Sequence, residues 1–76
     1  MKNLLYIDAD TCLTFQSTSS AIKYIHRMGL TSWILITKYP NTPTVKVMNP
    51  FIKSDDQIEY LINETAALRY VGSFLN

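Results

Sequence analysis

The chain has 76 residues, 47% of them hydrophobic and 17% charged, with a formal net charge of +1. It is too apolar for a disordered chain and short enough for one domain only, and so few charges give sparse cover to the large relative surface of a small domain. A single cysteine, Cys12, excludes an internal disulfide; with His26 as the one histidine, no structural zinc site is expected, since such a site takes about four ligands.

No metal or other cofactor is expected. Cys12 itself is read as a small buried hydrophobe. Met1-Lys2-Asn3 and the short apolar run after them do not read as a signal peptide. No run approaches the roughly 18 apolar residues of a membrane span. The expectation is a soluble protein of the cytoplasm (the host's, for a viral chain), where a free thiol persists.

Residues 3–8, NLLYID, read as a first strand. Residues 11–16, TCLTFQ, alternate, with Leu13 and Phe15 on one side and Cys12 and Thr14 on the other, as in a short second strand. Ser17 is a good N-cap, because its hydroxyl can accept a free backbone N–H of a first helical turn. Ala21, Ile22, Ile25 and Met28 follow at helical spacing, and Gly29 suits the left-handed position that ends a helix. The spacing predicts a helix over 18–28. The free N–H groups at Thr18-Ser19-Ser20 would suit a phosphate, but serines there are more simply capping residues.

TSWILITKY and TVKVMN read as a hairpin turned by Pro40-Asn41-Thr42-Pro43. A turn centred on Thr42 sets Lys38 against Lys46, an unfavourable pair. Either the register slips or that corner meets something negative. The same register places Trp33, Leu35, Tyr39, Val45 and Val47 on one face, with Ile34, Ile36 and Met48 on the other. Pro50 ends the strand. Ser54 and Gln57 form a capping box, with Asp55 and Asp56 beside the helix start. Ile58, Leu61, Ile62, Thr65 and Leu68 then make a stripe. This predicts a second helix over 55–71, stopped near Gly72, with Phe74 and Leu75 folding back on the core. The whole is an α+β domain of order β(β)αββα, with a mostly antiparallel sheet and a C-terminal second helix.

The functional question is raised by Asp8-x-Asp10 after the apolar run Leu4-Leu5-Tyr6-Ile7. The pair resembles the first motif of haloacid-dehalogenase-type phosphatases. That resemblance makes Asp8 the nucleophile and Asp10 the general acid. Thr37 would then end a strand as the second motif does, and Lys53 with Asp55 and Asp56 would stand for the family's lysine and metal-binding acids. The match covers fragments only. Cys12 stands where the family usually has Thr or Val, Asp55 and Asp56 sit at a capping box, and the family's doubly wound core needs a longer chain. The two acids are therefore read as a strand end, solvated or capping a turn, and no catalytic residue is assigned.

Charge is unevenly spread. Residues 11–53 hold Lys23, Arg27, Lys38, Lys46 and Lys53 and no acid, whereas Asp55, Asp56, Glu59 and Glu64 cluster after them. The simpler reading is internal compensation, with the acidic second helix near the basic hairpin; on the functional reading Lys23, Arg27, Lys38 and Lys46 form the candidate basic face. Tyr24, Trp33, Tyr39 and Met48 are the candidate partner-binding residues, on the reading that one apolar face of the sheet stays open unless the two helices split between the faces and cover both. The leading functional expectation is a small non-enzymatic protein-interaction module. It would act as an inhibitor, adaptor or regulator of a larger protein or nucleoprotein assembly, with a homodimer as one form. Stand-alone domains of this size and style occur among phage and mobile-element products that block host defences. The alternative is a nucleic-acid-associated protein using the basic segment 11–53.

Overall fold

The computed structural model describes residues 1–50 and 60–75. Five strands, β1 (Lys2–Asp8), β2 (Thr11–Phe15), β3 (Ile34–Lys38), β4 (Thr44–Met48) and β5 (Tyr60–Asn63), form one antiparallel sheet in the order β2-β1-β3-β4-β5. Helix α1 (Thr18–Met28) links β2 to β3, and α2 (Glu64–Phe74) follows β5. The fold is α+β with its second helix C-terminal, as expected. Among the described residues no helix is long and apolar enough to cross a membrane.

Helix α1 begins and ends where its local sequence dictates. The Ser17 hydroxyl accepts the Ser20 N–H at 3.1 Å. At the other end Gly29 takes φ 63°, and the N–H groups of Gly29 and Leu30 bond the carbonyls of His26 and Ile25. This double closure satisfies carbonyls that a helix end otherwise leaves free. Ala21 and Ile25 are buried. Met28, assigned to the same stripe, is instead exposed, because the chain turns away at Gly29 before the sheet reaches it.

The β3–β4 register differs from the expected one by a single residue. Ile36 faces Val47, Thr37 faces Lys46, and Lys38 faces Val45. The turn therefore centres between Asn41 and Thr42, and Asn41 adopts φ 74°, a left-handed conformation that asparagine tolerates better than most residues. A one-residue slip moves every side chain of a strand to the other face. Val45 and Val47 accordingly join Ile34 and Ile36, and Met48 joins Trp33 and Leu35. Lys38 and Lys46 are no longer opposed. Lys38 instead lies across from Lys2, and Glu64 at the start of α2 supplies a carboxylate 2.8 Å from the Lys38 ammonium.

The helices lie on opposite faces. Helix α1 packs over β1 and β2, burying Ala21 and Ile25 with Leu5, Trp33, Leu35 and Met48. Helix α2 packs over β4 and β5, burying Ala67, Val71 and Leu75 with Ile34, Ile36, Val45 and Val47. Of the two readings, the helices split between the faces, and neither face is wholly open. Each helix covers a diagonal half, and fully buried Ala21 and Ala67 let each backbone approach the sheet closely.

The C-terminal segment departs furthest from the expected helix. Residues 60–63 pair with β4 as a strand. The helix starts only at Glu64, where the Asn63 side chain accepts the Ala66 N–H at 2.8 Å. It runs through Gly72 to Phe74 and buries Ala67 and Val71. Leu68 and Phe74 are exposed, and only Leu75 returns to the core. Ser54, Asp55, Asp56, Gln57 and Ile58 lie outside the described residues.

One polar node lies inside the α1 side. Asn3 is fully buried on β1. Its Oδ1 accepts the hydroxyls of Thr37 (3.0 Å) and Thr18 (3.1 Å), and its Nδ2 donates to the Phe15 carbonyl at 3.5 Å. It thereby ties β2, β3 and the start of α1 to β1. Removing a shared acceptor leaves buried donors unpaired, at about 1–3 kcal/mol. Asn3→Ala is expected to lower the unfolding free energy by about 2 kcal/mol in urea titrations, and Thr37→Val by less, since Asn3 then keeps Thr18.

Candidate functional site

The Asp8–Asp10 stretch forms the tight link between β1 and β2. Asp8 Oδ1 accepts the Asp10 N–H at 2.8 Å, and Oδ2 accepts the Thr11 hydroxyl at 2.9 Å. These bonds to its charged form hold the Asp8 carboxyl below the usual carboxylate range. Both oxygens are engaged in closing the turn, beside a register irregularity between Tyr6 and Asp8. Asp10 is exposed. Asp8 is the turn cap. Among the described residues no three side chains of His, Cys, Asp or Glu gather as metal ligands.

Cys12 is exposed on the edge strand β2, a correction to its expected burial. It faces Tyr6 across the β1–β2 pair, on the half of the α2 side that α2 leaves uncovered. Burial pushes the Tyr6 phenol up, and the neighbouring Cys12 and Glu64 add to the shift. Alternation put Cys12 opposite Leu13, but could not say that its side of this edge has no helix over it.

The four aromatic and methionine candidates are not brought together. Trp33 and Met48 are buried beneath α1. Tyr24 is half-buried with its ring 5.4 Å from that of Phe15. Tyr39 is exposed beyond the end of β3. The candidate basic residues also divide. Lys38 lies on the α2 side, bound to Glu64, whereas Lys46 shares the α1 side with its cross-strand partner Thr37. Lys23 and Arg27, one turn apart on α1, are both exposed.

What the sequence did not suggest is a cleft of about 320 Å³ at the end of α1, lined by Ile22, Ile25, His26, Gly29, Leu30, Thr31 and Trp33. The left-handed Gly29 creates it, because the reversal there separates the last helical turn from the segment leading into β3. Gly29 itself was legible as a helix stop; the space behind it needed the position of Trp33. Comparison with protein-family models, curated proteins and solved structures finds no match. The cleft and the α1 surface beside it are the candidate site.

The linkage between Asp8 and pH has a definite sign. A carboxyl held low in the folded state contributes stability that is full above its unfolded-state value and is lost as pH falls through the folded-state value. Asp8→Ala is therefore expected to lower the thermal midpoint at neutral pH, with the difference closing on acidification. Asp10→Ala should leave the midpoint unchanged, and melts of both variants along a pH series check this.

Proposed function

We propose that the chain is a small non-enzymatic protein-interaction module, acting as inhibitor, adaptor or regulator of a larger protein or nucleoprotein assembly. The observation that carries this reading is the cleft behind Gly29. It is lined by Ile22, Ile25, Leu30 and the buried Trp33, with His26, Gly29 and Thr31. Pockets of about 300–1,000 Å³ take small molecules. At the small end of that range, this one suits one or two side chains of a protein surface.

The surrounding surface supports the reading. The rim residue His26 lies on α1 with Lys23 and Arg27, and residues 11–50 contain no acid. Asp8 supports the non-enzymatic part, since its carboxylate is engaged in holding a turn. A product of a phage or mobile element that blocks a host defence, working in the host cytoplasm, is one setting for such a module.

Affinity capture from source-cell or host lysate, with and without nuclease, tests the proposal. The expected result is a stoichiometric protein or nucleoprotein complex that survives nuclease. Retention of nucleic acid alone, lost on nuclease treatment, would overturn the proposal in favour of a nucleic-acid-associated protein.

A further inference from the structure

Helix α1 and the cleft at its end share one residue. His26 lines the cleft, and it stands three residues from Lys23 and next to Arg27. Residues at that spacing occupy one helix surface. Lys23, His26 and Arg27 are all exposed. The one ion pair among the described residues joins Lys38 and Glu64, so Lys23 and Arg27 are not neutralised by the fold there. The first turn of α1 carries no acid either.

The cleft beside this basic ridge has a mixed lining, apolar at Ile22, Ile25, Leu30 and Trp33 and polar at His26, Gly29 and Thr31. The helix-end carbonyls of Ile25 and His26 are already bonded by Leu30 and Gly29, and Ile22, Leu30 and Trp33 offer an apolar occupant contact. A single site thus joins a recess with an apolar part to a ridge of cations that make no ion pair among the described residues.

Resting on the proposed interaction role, we infer that this site takes an acidic segment of a partner protein, with one large apolar side chain seated between Ile22, Leu30 and Trp33. The flanking carboxylates lie against Lys23, Arg27 and His26. Charge complementarity selects the occupant, because burying the anchor beside like charge would be unfavourable. Among the described residues a second copy of this chain fits less well: the Asp8 and Glu64 carboxylates are engaged at a turn and in an ion pair, and exposed Asp10 is flanked by Ala9 and Thr11, with no large apolar residue next to it. Nucleic acid fits less well too. Single strands bind by stacking bases on open aromatic faces, but Trp33 is only 7% exposed and Tyr24 is packed against Phe15.

The test uses isotope-labelled full chain and synthetic peptides in which one Leu, Phe or Trp is flanked by Asp and Glu. Matched controls replace the flanks by Lys or the centre by Ala. The acidic apolar peptides are expected to shift the amides of residues 22–33 saturably, more weakly as salt rises. The controls, and the double variant Lys23→Glu with Arg27→Glu, should bind at least about tenfold more weakly. Thr31→Phe, at an exposed position lining the cleft, should compete with the anchor without touching the charges.

Equal binding of Lys-flanked peptides, shifts mapping elsewhere, or no shift at millimolar peptide would overturn the inference. So would an oligonucleotide that moves the same amides more strongly than any peptide. If nuclease-resistant capture of a protein persists in those cases, the interaction role stands and its surface lies elsewhere. If capture fails as well, both are lost.

Discussion

Ile34, Leu35 and Ile36 are each at most 1% exposed, and successive residues of a strand point to opposite faces. This one strand therefore requires apolar cover on both sides, and the arrangement of the rest follows. Each of these side chains contributes about 1.5–3 kcal/mol when fully buried, a large share of the stability of so small a domain. With only two helices in the described chain, one must go to each face. Helix α1 comes from the β2 end of the sheet and covers β1 and β2. Helix α2 comes from the β5 end and covers β4 and β5. The result is a diagonal sandwich in which neither face is wholly open.

The diagonal arrangement also sorts the polar groups. On the α1 side, the two threonine hydroxyls on Asn3 lock the start of α1 against β1 and β3. Buried networks of this kind specify an arrangement more sharply than apolar contact does, because an unpaired member is costly. At the other end of α1, Gly29 turns the chain back and opens the cleft in front of Trp33. One end of the helix is thus pinned by hydrogen bonds and the other presents a recess. On the α2 side, Lys2 and Lys38 face each other, a repulsion that Glu64 offsets from the first turn of α2. As a half-exposed pair it is worth at most about 1 kcal/mol. Its position nonetheless matters, because it removes Lys38 from any common basic surface with Lys23 and Arg27.

Much of the N-terminal half is legible from local chemistry. Ser17 and Gly29 bound a helix whose limits match the expected ones, and the alternation of Leu13 with Phe15 marks β2. The failures have particular causes. Periodicity across Ile58, Leu61, Ile62, Thr65 and Leu68 extends a helix over residues that instead pair as β5, since a short apolar run fits either element. Asn63 followed by Glu64 was the overlooked start signal, an amide cap before an acid in the first turn. The β3–β4 register turned on whether Asn41 would adopt positive φ, which nothing in the flanking strands reveals. That single slip also reassigned Met48, Val45 and Val47, and with them the supposed binding face.

The sequence by itself determined the α+β class, the limits of α1 and the lack of acids from residue 11 to 50. Those properties depend on spacing, capping chemistry and charge, all readable along the chain. Tertiary structure alone decided which face each helix covers, that Asp8 spends its carboxylate on a turn, and that Trp33 lies behind the recess at Gly29. Each of these depends on segments far apart in sequence meeting across the sheet. The candidate site has the same dual origin: Lys23 and Arg27 were visible as charges, but the cleft beside them exists only once α1 and the approach to β3 are packed together.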